Sequence, residues 1–113
     1  MPKYVTFFSI KDEALARFIE NPEDRRGPGS KLADAAGGKL ESYYCMFGQY
    51  DGLAIYEVPD SATMASIALA VTSTGALKHV ETHELIEADN LVEILRKAQT
   101  LRPSYRPPGQ TQR

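Results

Sequence analysis

The amino-acid sequence predicts an α+β fold of the ferredoxin-like type, an antiparallel sheet of four strands with helices packed on one face. Three observations carry this reading. The segments alternate in the order β-α-β-β-α-β, and one further helix follows. Only the turn cluster Gly48-Gln49-Tyr50-Asp51-Gly52 separates the second strand from the third, too short a connection for a parallel crossover, so the two form a hairpin. The other two connections each hold a helical segment, as a pair of split βαβ units requires.

The elements follow in order. Residues 3–9 are β-branched and aromatic and read as the first strand. From Lys11 to Glu20 the spacing turns helical, with Leu15, Phe18 and Ile19 on one face and Asp12 and Glu13 in the first turn, where the helix dipole favours acids. Asn21-Pro22 interrupts that pattern, and Arg25-Arg26-Gly27-Pro28-Gly29-Ser30 reads as a turn. A second helical piece is expected from Ser30 to Ala36, ending at Gly37-Gly38. Strands follow at 39–47 and 53–58. Asp60 supplies an N-cap for a helix over 62–73, in which Met64, Ile67, Ala68 and Val71 share a face and Gly75 marks the end. This helix is apolar nearly all round and is expected to be the more buried one. The last strand is placed at 76–86 and a C-terminal helix at 89–101, with Leu91, Ile94, Leu95 and Ala98 on one side. Residues 1–101 are expected to form one domain. Residues 102–113, with three prolines, three arginines and a single aromatic, are expected to be a disordered tail.

Both faces of the expected sheet are apolar, although helices can cover only one of them. Strict alternation puts Val5, Phe7, Leu53, Ile55, Leu40, Tyr44 and Met46 on one side. Tyr4, Thr6, Phe8, Ala54, Tyr56, Val58, Tyr43, Cys45 and Phe47 fall on the other. The second set is expected to be the helix-free face, buried against another copy of the chain, because so large an apolar patch is rarely left in water.

Composition narrows the function classes. The chain of 113 residues carries 13 Lys+Arg against 15 Asp+Glu, for a formal net charge of −2. Such a balance argues against nucleic acid as a partner. A single cysteine excludes an internal disulfide framework. Neither an apolar run long enough to span a bilayer nor a signal peptide is read here, so a cytoplasmic protein with no membrane role is expected. Nucleotide-loop, zinc-protease and esterase motifs are missing, and neither a cofactor nor a metal is expected.

The stretch Gly37-Gly38-Lys39-Leu40, then Tyr43-Tyr44, Gly48-Gln49-Tyr50-Asp51 and Glu57-Val58-Pro59-Asp60, resembles the GYD-domain family of small bacterial proteins. Met1-Pro2-Lys3-Tyr4 and the Ala/Leu-rich helix ending near Gly75 are similar to that family too, and the resemblance covers about residues 1–98. It implies a ferredoxin-like fold of the dimeric α+β-barrel type and no settled activity. Gly27-Pro28-Gly29 departs from the family pattern, which more often runs on as helix there, and 102–113 lies outside it.

Six residues are candidates for ligand binding: Tyr4, Phe7, Tyr44, Tyr50, Asp51 and His79. Aromatic walls and phenolic donors suit a small, mostly apolar ligand. Asp51 is either a turn residue whose carboxylate accepts backbone N–H groups or a base beside the donor Tyr50. His79 and His83 lie on one face of a strand about 13 Å apart, too far to share a metal ion whose two Zn–N bonds span about 4 Å. Glu81 falls between them. Cys45, with no basic neighbour in sequence, is expected to be a small core residue. Arg25-Arg26 could grip an anion or sit in a solvated loop. The chain is thus expected to be a homo-oligomeric ligand-binding or regulatory module. The alternative is a cofactor-independent oxygenase or isomerase of the dimeric α+β-barrel type. A closed cavity holding Asp51 or His79 would favour the enzyme.

Overall fold

Residues 1–110 are described by a computed structural model. The last three positions of the expected tail, 111–113, lie outside the described residues. Strand β1 (Lys3–Ile10) is followed by α1 (Asp12–Glu20), α2 (Arg26–Ala35), β2 (Lys39–Cys45), β3 (Gly52–Glu57), α3 (Ser61–Ser73), β4 (Leu77–Leu85) and α4 (Leu91–Leu101). The sheet order is β2-β3-β1-β4, every pair antiparallel, with β1 between β3 and β4. This is the ferredoxin-like arrangement expected from the element order.

Local chemistry accounts for the boundaries. The Asp60 carboxylate accepts from the Thr63 N–H at 2.8 Å and from the Thr63 hydroxyl at 2.7 Å, which caps α3. Asp24 accepts from the Arg26 N–H at 3.0 Å at the start of α2 and also holds the Arg26 guanidinium. Helix α2 therefore begins at Arg26 and not at Ser30: Gly27-Pro28-Gly29 is its first turn, where the missing N–H of proline leaves no helical bond unmade. At its far end Gly37, with φ +79°, lets Gly37 N–H reach Asp34 C=O and Gly38 N–H reach Ala33 C=O, a Schellman close. Gly38 is also required by packing, because a Cβ there would fall 2.0 Å from the Glu57 carbonyl oxygen.

The core lies between the sheet and helices α2 and α3. Tyr4, Ala54, Tyr56 and Val58 from the sheet meet Ala33, Met64 and Ile67, with Leu40, Tyr43 and Val71 packed against them. Each large side chain so buried contributes about 1.5–3 kcal/mol. The face expected to be helix-free is therefore the covered one. The open face carries Val5, Phe7, Leu53 and Ile55. Alternation separated the two sets on β1 and β3 correctly, but both sets are apolar, so hydropathy did not say which one meets the helices. On β2 the register shifts between Leu40 and Ser42: Leu40 pairs Tyr56, Ser42 pairs Ile55 and Tyr43 pairs Ala54. This bulge takes Glu41 out of the count and changes parity. Leu40 thus joins Tyr43 on the covered face, and Ser42 and Tyr44 lie on the open one. Cys45, expected in the core, is exposed at the end of β2.

Helix α3 turns Met64, Ile67, Ala68 and Val71 to the sheet as expected, but its other flank is in water, with Leu69 71% exposed. Helix α1 buries no residue at all; only Ala14 and Phe18 are partly shielded. From His83 to Gln110 every residue is exposed. Helix α4 thus stands off its own body with Leu91, Ile94, Leu95 and Leu101 all 43–59% exposed. The resulting radius of gyration is 18.6 Å, against about 13 Å for a compact chain of this length. Arg102–Ser104 adds one short turn to the end of α4.

Candidate functional site

Helix α1 does not pack on the sheet, and the space beneath it is a cavity of about 460 Å3, within the range of small-ligand sites. Its floor is the covered face: Thr6 and Phe8 of β1, Tyr43 of β2, Ala54 and Tyr56 of β3 and Val80 of β4. Met64, Ile67, Ala68 and Val71 form one wall. Pro28, Gly29 and Leu32 of α2 form another, and Ala14, Arg17 and Phe18 of α1 roof it. Gly29 matters to this shape. A Cβ there would lie 3.2 Å from Leu40 and 3.9 Å from both the Tyr43 ring and the Tyr56 hydroxyl, so the helix passes close over the two tyrosines.

The polar lining outside the sheet comes from one stretch of chain, Arg17, Asn21, Glu23 and Arg25. Arg25 donates to Glu23 at 2.7 Å. Burial pushes the Tyr56 phenol above its ordinary value, and it does the same at Tyr43, where the nearby Arg25 cation pulls the other way. The next residues, Asp24 and Arg26, form an exposed pair in which the guanidinium holds the Asp24 carboxyl down to about 2.

Five of the six candidate residues lie away from this cavity in two other places, and the sixth is buried in the core. Tyr4 is on the covered face, 4% exposed, and forms part of the core. Phe7, Tyr50 and His79 meet on the open face, with ring centroids 5.5 Å apart for Phe7–Tyr50 and 5.8 Å for the stacked Tyr50–His79. Tyr44 is on that face too, 62% exposed. The Tyr50 hydroxyl donates to Glu81 at 2.8 Å, and His83 Nε2 lies 2.7 Å from the other Glu81 oxygen. His79 Nε2 stands 3.8 Å from Glu81. The His83 and Tyr50 hydrogen bonds hold the Glu81 carboxyl below its ordinary value. Asp51 sits at the mouth of the β2–β3 hairpin, where its carboxylate accepts from the Ile10 N–H at 2.7 Å and its own N–H donates to Phe8 C=O. That bond ties the hairpin to the end of β1. Among the described residues no group of three or more His, Cys, Asp or Glu side chains is placed to hold a metal ion.

Sequence reasoning passed over Tyr43, Tyr56, Arg17 and Gly29. Alternation already put Tyr43 and Tyr56 on one face, but that face was expected to be the helix-free one, so neither residue was read as lining a space beneath α1. Arg25 was legible as a possible anion grip.

Comparison with known proteins agrees with this architecture. The model of the GYD domain family matches residues 4–95. The chain belongs to the GYD domain family. A glutamine synthetase and cystathionine beta-lyase binding protein of Thermus thermophilus is 24% identical over 94 residues, which covers 83% of this chain and 99% of that one. Among solved structures, one from Arabidopsis thaliana superposes with a TM-score of 0.52 at 14% identity, covering 78% of this chain and 96% of the other. A second, from Thermus thermophilus, gives a TM-score of 0.51 at 13% identity, over the same shares of the two chains. At such identities these two show the ferredoxin-like fold alone. Among the described residues no helix is long and apolar enough to cross a membrane.

Proposed function

We propose that this GYD-domain chain is a homo-oligomeric module that holds a small, mostly apolar ligand in the cavity between α1 and the sheet. The observation that carries the reading is the cavity itself: about 460 Å3 under a helix that buries nothing. A chain of this size has little apolar surface to spare, and collapse of α1 onto the sheet would bury Leu15 and Phe18. A space kept open at that expense is explained by an occupant. Neither Asp51 nor His79 lines the cavity, which favours the module over the oxygenase or isomerase alternative.

Self-association is supported by two unpartnered apolar surfaces on one chain. The open sheet face presents Phe7, Leu53, Ile55 and Tyr44, and α4 presents Leu91, Ile94, Leu95 and Leu101. Exposed apolar surface grouped in this way commonly marks an interaction site. In this reading Phe7, Tyr44, Tyr50 and His79 serve the contact between copies. A regulatory role toward another protein is supported by the name of the Thermus thermophilus relative, a binding protein for two enzymes.

Native mass spectrometry of freshly purified protein tests both parts. The expected result is an oligomer carrying added mass that disappears on denaturation and that Ala68→Trp, which fills the cavity, abolishes. A 12.5 kDa monomer at micromolar concentration would remove the oligomer. Added mass that survives Ala68→Trp would remove the cavity.

A further inference from the structure

We infer that the cavity takes a molecule with an apolar, ring-sized body and one anionic oxygen group, and that Tyr43, Tyr56 and the arginine rim bind that group. The inference rests on the proposed ligand-binding role and adds the chemical class. Tyr56 is 7% exposed, and burial is the whole cause of its raised phenol value. Neither its hydroxyl nor that of Tyr43 has a protein hydrogen-bond partner among the described residues. Yet no fully enclosed side-chain oxygen or nitrogen lacks a partner there. Both hydroxyls therefore border open space, and the space that both residues line is the cavity. The approach of Gly29 to both rings places them side by side under α2. Two phenolic hydroxyls without a protein partner, on a mostly apolar floor, offer hydrogen bonds that an occupant would take over from water.

The charge of the rim selects the sign. The charged lining residues are Arg17, Glu23 and Arg25, two cations against one anion. Glu23 is taken up by Arg25 at 2.7 Å. Arg17 is in no ion pair among the described residues. Arg25 stands close enough to Tyr43 to oppose the upward shift of its phenol. A neutral acceptor would leave this excess cation unused, whereas a carboxylate or sulfonate would take charge-assisted bonds from both phenols and from the rim. The body of such a ligand would rest on Phe8, Ala54, Met64, Ile67 and Phe18.

Two fluorescent probes with the same ring skeleton separate the possibilities: anilinonaphthalene sulfonate, and uncharged phenylnaphthylamine. Titrations use the full chain and its Tyr43→Phe, Tyr56→Phe and Ala68→Trp variants, each confirmed folded by circular dichroism. Phenylalanine removes only a hydroxyl that bonds to nothing in the protein, and the half-buried Tyr43 serves should Tyr56→Phe disturb the core. The expected result is that the sulfonate binds about tenfold more tightly than the uncharged probe, as charge-assisted bonds imply. Each Phe variant should lose about threefold or more for the sulfonate alone, and Ala68→Trp should block both probes. Equal affinity of the two probes, or Phe variants that leave the sulfonate unchanged, overturns the anionic class while the cavity keeps its role. Probe binding that Ala68→Trp leaves intact overturns the cavity reading as well.

Discussion

The two faces of the sheet differ less in composition than in what covers them. On the helix side Tyr4, Ala54, Tyr56 and Val58 are 0–7% exposed. On the open side Phe7, Leu53 and Ile55 are only half-buried, and Tyr44 is 62% exposed. Strand β3 alternates strictly between buried and half-buried positions, although five of its six residues are apolar or small. Along β3 burial therefore follows the position of the helices and not hydropathy. The covered face is unevenly filled as well: α3 and α2 seal one part of it, and α1 leaves the remainder as the cavity. One face thus combines core and cavity, and the other combines an apolar floor with a polar cluster centred on Glu81.

The largest expected break in this comparison is Ala54→Asp. Ala54 is 2% exposed, and a carboxylate without a partner there should cost about 3 kcal/mol or more. A urea melt should show a protein largely unfolded, and a midpoint within error of wild type would mean the faces are assigned the wrong way round. Next comes Asp51, where the two faces meet at the hairpin mouth. Asp51→Ala removes the acceptor for the Ile10 N–H and should cost about 1–2 kcal/mol, while Asp51→Asn, which keeps an acceptor oxygen, should cost less than about 1. Equal losses in thermal melts of both variants would show that the charge matters and not the bond.

Tyr44→Asp sharpens the contrast from the open side. The exposed ring contributes little to its own chain, so the monomer should stay within about 0.5 kcal/mol of wild type, while light scattering should shift toward monomer. Unchanged assembly would place the contact elsewhere, with α4 as the next surface to test.

The smallest expected effect is acid titration of the open-face cluster. The Glu81 carboxyl lies below its ordinary 4.5 through the His83 and Tyr50 hydrogen bonds, and Asp60 lies low through Thr63. Their native forms bind protons less readily than the unfolded chain does. The stability they contribute is present above the ordinary carboxylate value and is lost as pH falls through the native one. Denaturant midpoints should fall below about pH 4.5, and Glu81→Gln should flatten part of that fall. An acid limb identical in the variant would show that the cluster is not coupled to folding.

Local rules were legible in the chain because they act over a few residues. Asp60 as a cap, Gly37-Gly38 as a helix end, and a hairpin at Gly48–Gly52 all follow from short-range sterics and hydrogen bonding, and with the element order they specify a ferredoxin-like sheet. The GYD motif was readable in a different way, as the resemblance of Gly37-Gly38-Lys39-Leu40 and Gly48-Gln49-Tyr50-Asp51 to a known family. The start of α2 was missed because Gly27-Pro28-Gly29 has turn propensity in isolation, and the Asp24 capping bonds and the close approach over Tyr43 and Tyr56 override it. Other features were decided only in three dimensions. Which apolar face meets the helices depends on the handedness of two crossovers, a property of the whole chain path. The parity change in β2 depends on how Leu40 and Ser42 pair with β3. The cavity exists because α1 stops short of the sheet, a distance no residue pattern encodes. The amphipathic period of α4 announced a buried face, and only the structure shows that nothing in its own body covers it, because an apolar stripe specifies that it must be buried and not against which surface.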